Sequence, residues 1–214
     1  FMEQPSIFSS DKGRIVDVGL SDYEDARRFQ LELHSSIASG HGSEIIILTE
    51  HLPVYTCGRT TPPHERPAAG EIPVVDVERG GKLTYHGPGQ IVGYPILSLA
   101  RRKWSIPQYL RRLEASLIDA LFQVGLTAEY REEFKAGLWV GEKKLVSIGI
   151  AVRHWTTFHG FALNVDGDLE PFRNTSPCGI SGDCVTSLRE LGVGISKERM
   201  REIVIQNLMR DFFQ

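Results

Sequence analysis

The sequence predicts an α+β fold in which a mixed or mostly antiparallel sheet carries helices packed on its outside. Strand-like segments follow one another in runs with few helices between them. Other stretches place apolar residues every three or four positions, which is the spacing of amphipathic helices. Strands grouped in runs pair mainly with each other, as in α+β domains. The chain shows no internal repeat or linker, so we expect residues 1–214 to form one domain.

The first part of the chain predicts one strand and one helix. Residues Arg14–Val18 alternate weakly between polar and apolar, which indicates an edge strand. Ser21 and Glu24 have the spacing of a capping box, so a helix is expected to begin at Ser21 and to end at Gly40. Its buried face is expected to contain Ala26, Phe29, Leu33 and Ile37.

Short strands and a loop follow this helix. Glu44–Leu48 is almost entirely apolar and predicts a strand that is buried on both faces. Thr60–Ile72 is rich in proline, glycine and charge, so we expect a surface loop there. Pro73–Val77 predicts a further strand that leads into a glycine-rich stretch.

That stretch, Arg79–Leu97, reads RGGKLTYHGPGQIVGYPIL. It predicts two strands, Lys82–Tyr85 and Ile91–Leu97, joined by a tight turn at His86–Gly89. The turn is expected to bring together Arg79, Tyr85, His86 and Gln90. One interpretation is an ordinary hairpin with a glycine-rich loop. The other is the wall of a ligand site, in which the missing glycine side chains leave room for a substrate.

The second half of the chain predicts a long helix and then a run of strands. Ser105 is expected to cap the helix and Gly125 to end it. The buried stripe of this helix is expected to contain Leu110, Leu113, Leu117, Leu121 and Val124. Leu138–Val140 and Lys144–Val152 flank a Gly-Glu-Lys turn and predict a hairpin, with Thr157–Val165 as a third strand.

Two helices are predicted near the C-terminus. Ser187–Leu191 predicts a short one, followed by Gly192. A longer helix is expected to begin at Ser196 and to bury Met200, Ile203, Val204, Leu208 and Phe212.

Composition excludes several classes of function. The 214 residues are 41% hydrophobic and 24% charged, which is typical of soluble globular proteins. A net charge of -3 argues against nonspecific nucleic-acid binding, which needs a basic face. No apolar run is long enough to cross a membrane, and no secretory signal is visible. Three cysteines without a CxxC pair fit free thiols in a reducing cytoplasm.

Cys178 is the candidate nucleophile. It lies in Ser176–Ile180, SPCGI, where proline fixes the chain and glycine lets the next amide approach whatever the sulfur attacks. A thiol beside a free backbone N–H resembles a nucleophile with half an oxyanion hole. The alternative is a buried structural cysteine. Cys57 and Cys184 are expected to be inert packing residues.

A reactive thiol needs a neighbour that favours its anion, because an unperturbed cysteine has a pKa of about 8.5. A cation at about 4 Å attracts a thiolate by roughly 4 kcal/mol at an effective dielectric of about 20. The candidates are Lys144, His86 and His159. Lys144 alternates with Val146 and Ile148 and should share their apolar face, which is unusual for a surface lysine.

The two histidines stay open at this stage. Each is followed by glycine, and each could instead be a hydrogen-bonded polar group near the core. Together with Cys178, His86 and His159 are a conceivable metal-ligand set, but no HxH, HxxxH or CxxC pair supports one. The sequence contains neither GxxxxGK[ST] nor GxGxxG. We therefore expect no metal and no cofactor.

Several segments together resemble one family, the octanoyltransferases of lipoate biosynthesis, also called lipoyl(octanoyl) transferases. The matching pieces are EHLPVYTCGR at 50–59, RGGKLTYHGPGQIVGYPIL at 79–97, KLVSIGI at 144–150, HGFALNV at 159–165, PCGI at 177–180 and VTSL at 185–188. They occur in the family's order and span most of the chain. The departures are mild. Cys57 stands where the family more often has leucine, Leu52 where it often has proline, and Val146-Ser147 where two alanines are commoner.

The resemblance implies the fold of lipoate- and biotin-protein ligases, and it implies a reaction. Octanoyl-acyl carrier protein would deliver its acyl group to the thiol of Cys178, with Lys144 lowering the thiol pKa. The acyl-enzyme would then acylate a lysine of a lipoyl domain, in 2-oxoacid dehydrogenase E2 subunits or in the glycine cleavage H protein. His159 is a possible supporting residue. By the same resemblance the acyl site would be lined by Arg79, Gly80, Gly81, Lys82, Leu83, Thr84, Tyr85 and His86, with Ser147, Ile148, Gly149, Gly160, Phe161 and Ala162 opposite.

Two other hypotheses compete with this one. An ATP-dependent lipoate or biotin ligase of the same fold would activate its acid as an adenylate and need no cysteine. A non-catalytic domain would bind acyl carrier protein or lipoyl domains without forming a covalent intermediate.

Overall fold

A computed structural model describes residues 5–68, 70–132, 137–173, 175 and 181–214. The strands among these residues are β1 (Ser6–Ser10), β2 (Gly13–Ser21), β3 (Ile45–His51), β4 (Val54–Cys57), β5 (Val74–Asp76), β6 (Leu83–His86), β7 (Gln90–Ile96), β8 (Glu129–Tyr130), β9 (Gly137–Val140), β10 (Lys143–Arg153) and β11 (Thr156–Asn164). The helices are α1 (Tyr23–Ala38), α2 (Leu99–Arg102), α3 (Ile106–Phe122), α4 (Glu170–Arg173) and α5 (Lys197–Phe213).

The strands form a large mixed sheet and a small one. The large sheet has the order β1-β2-β3-β7-β11-β10-β9-β8, and only its β2–β3 pair is parallel among the described residues. The small sheet has the order β5-β4-β6, with β4 and β5 parallel. The predicted α+β class with a mixed sheet and outer helices is confirmed.

Two apolar layers cover the large sheet, one on each face. On the α1 face, Ile47, Val92 and Ala162 belong to a buried cluster with Ile37 of α1. The α3–α5 face carries the larger core. It includes Ile46, Leu48, Ile91, Val146 and Leu163 from the strands, together with Leu113, Leu117, Met200 and Val204 from α3 and α5. Alternation along each strand separates the two sets.

Side-chain caps define where the long helices begin. Ser105 accepts from the backbone N–H of Gln108 and forms the capping box that fixes the start of α3. Ser196 caps α5 as predicted. The predicted cap of α1 is wrong by one residue, since Asp22 accepts from the first turn. Ser21 ends β2 instead, and its hydroxyl lies 2.7 Å from that of Thr49 on the parallel neighbour.

Two further predictions are wrong because of pairing that the sequence does not reveal. Arg14–Val18 is not an edge strand, because β1 adds to β2 on its outer side. Ser187–Leu191 forms hydrogen-bonded turns rather than a helix. The N–H groups of Leu188 and Arg189 bond to carbonyls at the end of β11, so the backbone donors there serve a tertiary contact.

The glycine-rich stretch is a corner between the two sheets and not a hairpin. Its first strand, β6, pairs with β4, whereas its second, β7, lies between β3 and β11. At the turn, Gly89 has a φ of +91°, and a Cβ there would lie 2.2 Å from the backbone of Gly167. Glu50 fixes the same turn by accepting from the Gly89 N–H at 2.6 Å. The interpretation as an ordinary hairpin is therefore wrong.

No helix among the described residues has both the length and the apolar character needed to cross a bilayer.

Candidate active site

A narrow cleft with about 30 Å³ of free volume lies between the small sheet and the α1 face of the large sheet. It brings together three sequence segments that the family resemblance assigns to one site. Its lining includes Arg79, Gly80, Gly81, Thr84 and His86 from the glycine-rich stretch, Ser147, Ile148 and Gly149 from β10, and His159, Gly160, Phe161 and Ala162 from β11. These segments are far apart in sequence, and strand pairing places them side by side.

Three expected members lie elsewhere. Along β6 the side chains alternate, so Thr84 lines the cleft while its neighbours Leu83 and Tyr85 join a separate buried cluster around Phe172. Lys82 is ion-paired with Glu65 in the preceding loop. A direct role for these three side chains in the cleft stays a prediction that the geometry does not favour.

Sequence reasoning missed three residues of the cleft, Tyr23, Val92 and Tyr94. Tyr23 comes from the first turn of α1 and lies parallel to the His86 ring at a centroid distance of 6.3 Å. Val92 and Tyr94 alternate on β7, two positions apart. The sequence shows that alternation, but the packing of α1 decides which face of β7 borders the cleft.

Arg79 acts as a brace rather than as an exposed cation. Its guanidinium donates to the carbonyl and hydroxyl oxygens of Thr56, at 2.7 and 2.9 Å, and to the carbonyl of Gly80 at 3.1 Å. Arg79 is buried. These bonds hold the glycine wall of the cleft against β4.

A β-bulge decides where the Lys144 side chain points. Lys144 pairs with Trp139 and Val146 pairs with Leu138, so β10 has one extra residue at this point. Trp139 and Leu138 are consecutive and therefore point to opposite faces of the sheet. Because Lys144 lies opposite Trp139 and Val146 lies opposite Leu138, the side chains of Lys144 and Val146 also point to opposite faces.

The bulge places Lys144 on the α1 face, the face that borders the cleft. Val146 belongs to the α3–α5 core, so the predicted sharing of one face by Lys144, Val146 and Ile148 is wrong. Lys144 is nevertheless only 3% exposed. Its side chain packs over Gly137, since a Cβ added to Gly137 would lie 2.5 Å from the Lys144 Cε.

The backbone of Lys144 is tied to a distant segment. Val185 forms a parallel bridge with Lys144, and the N–H of Thr186 donates to the Lys144 carbonyl at 3.0 Å. Asn164 holds this segment from the other side, by donating to the Thr186 carbonyl at 3.0 Å. The chain shortly after the PCGI motif therefore runs beside the candidate lysine.

Cys178 lies outside the described residues, so the pairing of its thiol with Lys144 stays a prediction. The two cysteines that are described differ in setting. Cys57 is buried in the small sheet, and burial raises the pKa of its thiol. Cys184 is partly exposed in a 3-10 turn at Gly182–Cys184.

Two buried histidines, His86 of the cleft lining and its neighbour His51, have ring centroids 5.8 Å apart. Nδ1 of His86 lies 3.1 Å from Oε1 of Gln90, and burial lowers the pKa of His86 to about 3. Nε2 of His51 lies 2.7 Å from the hydroxyl of Tyr94, and burial lowers the pKa of His51 to about 4. Both imidazoles are uncharged at neutral pH. The sequence analysis did not single out His51, although it lies in the EHLPVYTCGR segment.

Both histidines should make the fold sensitive to acid. Their ordinary pKa of 6.5 applies to the unfolded chain, which binds protons before the folded protein does. Stability is then complete above pH 6.5 and is lost as the pH falls toward the folded values. At pH 5 we expect each histidine to cost about 2 kcal/mol of unfolding free energy.

Denaturant titrations at pH 7 and pH 5 measure this loss. His51→Gln should reduce the difference between the two conditions. His41→Gln, which changes an exposed histidine, should leave the difference unchanged. An unfolding free energy that is equal at the two pH values would contradict the assignment.

The comparisons with known proteins fit this geometry. A family described as the lipoyl protein ligase A/B catalytic domain matches residues 22–209. The chain belongs to that family. Within it, the chain is 45% identical over 184 residues to the octanoyltransferase of Geobacter sulfurreducens, covering 86% of this chain and 77% of that protein. It is 46% identical over 194 residues to the octanoyltransferase of Mycobacterium tuberculosis, covering 89% and 83%.

Solved structures of a lipoate-protein ligase and of a biotin protein ligase share the fold. A lipoate-protein ligase A bound with ATP superposes with a TM-score of 0.79 at 18% identity, covering 94% of this chain and 85% of that one. A biotin protein ligase from Aquifex aeolicus with biotin and ATP gives 0.56 at 12% identity, covering 92% and 69%. The predicted ligase-like fold and the predicted family are both confirmed.

Proposed function

We propose that this protein is an octanoyltransferase, which moves an octanoyl group from octanoyl-acyl carrier protein to a lysine of a lipoyl domain through a thioester on Cys178. The observation that carries the proposal is the cleft, where the glycine-rich stretch, β10 and β11 meet in a chain 43–46% identical to curated octanoyltransferases. The solved ligases share only the fold at such low identity.

The first half-reaction exchanges one thioester for another. The Cys178 thiolate attacks the acyl carbonyl, a carbon–sulfur bond forms, and the bond to the carrier's sulfur breaks. Because one thioester replaces another, no separate energy source is needed. Lys144 favours the thiolate as an ammonium and then protonates the departing thiolate. The bulge that turns Lys144 to the cleft face supports this role.

The second half-reaction forms an amide. The amine of the acceptor lysine attacks the acyl-enzyme, the carbon–nitrogen bond forms, and the Cys178 thiolate leaves. Lys144, neutral after the first half, takes up a proton again and restores the ion pair. Amide formation from a thioester is strongly favourable, which explains how the reaction proceeds without ATP.

We assign the acyl chain to the cleft. The glycines leave one wall without side chains, while Val92, Phe161 and Ala162 supply apolar surface. Each buried methylene contributes about 0.8 kcal/mol, so the depth of the cleft can select chain length. The acceptors would be lipoyl domains of 2-oxoacid dehydrogenase E2 subunits and of the glycine cleavage H protein, in the cytoplasm.

Intact-mass measurement after exposure to octanoyl-acyl carrier protein without ATP tests the proposal. We expect a gain of one octanoyl group, located by peptide mapping at Cys178, and its loss when a lipoyl domain is added. A protein that acylates the lipoyl domain only with free acid and ATP would be a ligase. A stable complex without any mass gain would indicate a binding domain.

A smaller prediction concerns the residue under Lys144. In Gly137→Ala the added Cβ would lie 2.5 Å from the Lys144 Cε and 2.3 Å from the Val146 carbonyl oxygen, so the lysine must shift. A displacement of about 1 Å can cost about 100-fold in rate, and we expect a loss of about that size in acylation.

The matched control is Gly194→Ala, where an added Cβ meets nothing within 4 Å. Stopped-flow acylation and thermal unfolding of both variants separate lost activity from lost folding. Normal acylation by Gly137→Ala would show that the path of the Lys144 side chain is unimportant.

A further inference from the structure

A pair of buried amide side chains lies next to the cleft, on the same face of the large sheet. Val92 of β7 and Ala162 of β11 are paired across the strands, and both line the cleft. Gln90 and Asn164 form the next pair on this face, because side chains on one face recur at every second position of a strand. Both amides are buried. The apolar lining of the cleft therefore ends at a polar pair.

Hydrogen bonds give each amide a single orientation. Nε2 of Gln90 donates to the carbonyl of Tyr85 at 3.2 Å and to Oδ1 of Asn164 at 3.0 Å. Oε1 of Gln90 lies 3.1 Å from Nδ1 of His86. Asn164 therefore accepts through Oδ1 and donates through Nδ2 to the carbonyl of Thr186, at 3.0 Å. Exchanging the oxygen and nitrogen of either amide would bring two donors or two acceptors together.

The polar pair holds a segment, residues 185–188, that replaces β11 as the neighbour of Lys144. The regular pairing of β10 with β11 begins at Val146, so Lys144 lies beyond it. Residues 185–188 lie there instead, and the Thr186 N–H donates to the Lys144 carbonyl at 3.0 Å. The last residue of the segment donates its N–H to the Asn164 carbonyl at 3.1 Å. The segment is thus bonded to the lysine on one side and to the asparagine on the other.

Lys144 depends on this segment because its own strand is irregular at that point. A bulge between Lys144 and Val146 interrupts the pairing of β10 with β9. The lysine amine lies close to the backbone of Gly137, since a Cβ added to Gly137 would be 3.4 Å from Nζ. A small movement of the Lys144 backbone would therefore displace the amine.

The amides specify a position more than they add stability. Desolvation offsets most of the energy of a buried hydrogen bond, so an apolar pair of similar shape would stabilise the sheet about as well. Without a donor from Asn164, however, the carbonyl of Thr186 would lose its partner in a buried setting, which is unfavourable. The amide of Asn164 therefore fixes where the segment lies.

We propose that Asn164 is a positioning residue for Lys144. Its amide holds residues 185–188 against the start of β10, and this segment fixes the backbone from which the Lys144 amine reaches Cys178. The inference rests on the octanoyltransferase function proposed above. Asn164 acts through the backbone of Lys144 and takes no part in the proton transfers.

Thiol alkylation as a function of pH tests the positioning without any acyl donor. Asn164→Leu keeps the approximate size of the side chain and removes the amide. Its Cys178 thiol, followed by peptide mapping, should titrate about one pH unit higher than in wild type, because a displaced ammonium favours the thiolate less. Acylation by octanoyl-acyl carrier protein at pH 7 should slow by about 10-fold, and raising the pH to 9 should recover part of the rate.

The same substitution in a Lys144→Ala protein separates positioning from a general structural role. If Asn164 acts through Lys144, adding Asn164→Leu should change neither the alkylation profile nor the acylation rate of Lys144→Ala. Equal slowing in both backgrounds would show that Asn164 acts independently of the lysine and would overturn the inference. An unchanged alkylation profile in Asn164→Leu alone would overturn it as well.

Asn207→Leu is the matched control. Asn207 of α5 is also buried, accepts from the amide of Gln123 at 3.2 Å and donates to the carbonyl of Ile203 at 2.8 Å. Its loss should lower thermal stability and leave the Cys178 alkylation profile unchanged.

Asn164→Ala is the second variant and serves if the leucine variant does not fold. It removes the same donor without adding bulk next to Thr186, and it should shift the alkylation profile in the same direction. A wild-type profile in this variant would contradict the inference. If wild type forms no acyl-enzyme, the proposed function fails, whereas the alkylation comparison still decides whether Asn164 positions Lys144.

Discussion

Cys178→Ser should form no acyl-enzyme, and its turnover should fall to the background rate. A serine hydroxyl at this position stays protonated under conditions in which a thiol ionises, and a neutral hydroxyl is a weak nucleophile without a stronger base. The expected loss is about 1,000-fold or more, the order of effect seen when a catalytic nucleophile is removed. Intact mass and a discontinuous assay of lipoyl-domain octanoylation measure it.

The two other cysteines provide controls for this experiment. Cys184→Ser and Cys57→Ser remove a partly exposed and a buried thiol, and both should keep the acyl-enzyme. Cys57→Ser should instead lower thermal stability, because a hydroxyl replaces a thiol in the apolar core of the small sheet. A Cys178→Ser protein that still gains an octanoyl group by thioester exchange would show that the carrier sulfur is elsewhere.

Lys144→Ala should slow acylation at neutral pH by about 100- to 10,000-fold, the range expected when a positioned proton-transfer group is lost. Without the ammonium the Cys178 thiol returns toward its ordinary pKa of about 8.5, so most of it is protonated at pH 7. Raising the pH to 9 should therefore recover part of the rate. Stopped-flow acylation and the pH dependence of thiol alkylation measure the two effects.

The neighbouring lysine is a close control. Lys143 is exposed, and its Nζ donates to the carbonyl of Asp183 at 2.6 Å. Lys143→Ala should acylate at nearly the wild-type rate. If Lys144→Ala has the wild-type alkylation profile, Lys144 does not lower the thiol pKa, and another group must be sought among the cleft residues.

Much of the architecture could be predicted from the sequence because local signals agree with the tertiary contacts. The capping box at Ser105 and the cap at Ser196 fix the two long helices wherever they pack. The β9–β10 hairpin follows from two apolar runs around a short Gly-Glu-Lys turn. Predictions failed where a polar group forms a hydrogen bond with a residue that is distant in the sequence. Ser21 pairs with Thr49 instead of capping α1, and the 188–189 amides bond to the end of β11.

The candidate site was predictable in membership but not in geometry. The glycine-rich stretch was identified from the residues, and the segments around Ser147 and Gly160 were identified from the family resemblance. Their meeting in one cleft depends on β6 and β7 entering different sheets, which no local pattern indicates. Tyr23 enters the cleft only because α1 covers this face of the large sheet.

The sequence alone determined the fold class, the family and the chemical groups available to the site. Side-chain patterns and caps act over a few residues, so a single chain displays them directly. The tertiary structure decided the orientation of two of those groups. Regular alternation would point Lys144 away from the cleft and would keep His159 off the side of Phe158. A bulge turns the lysine and a strained φ turns the histidine, and pairing with β9 and Gln30 of α1 hold these departures in place.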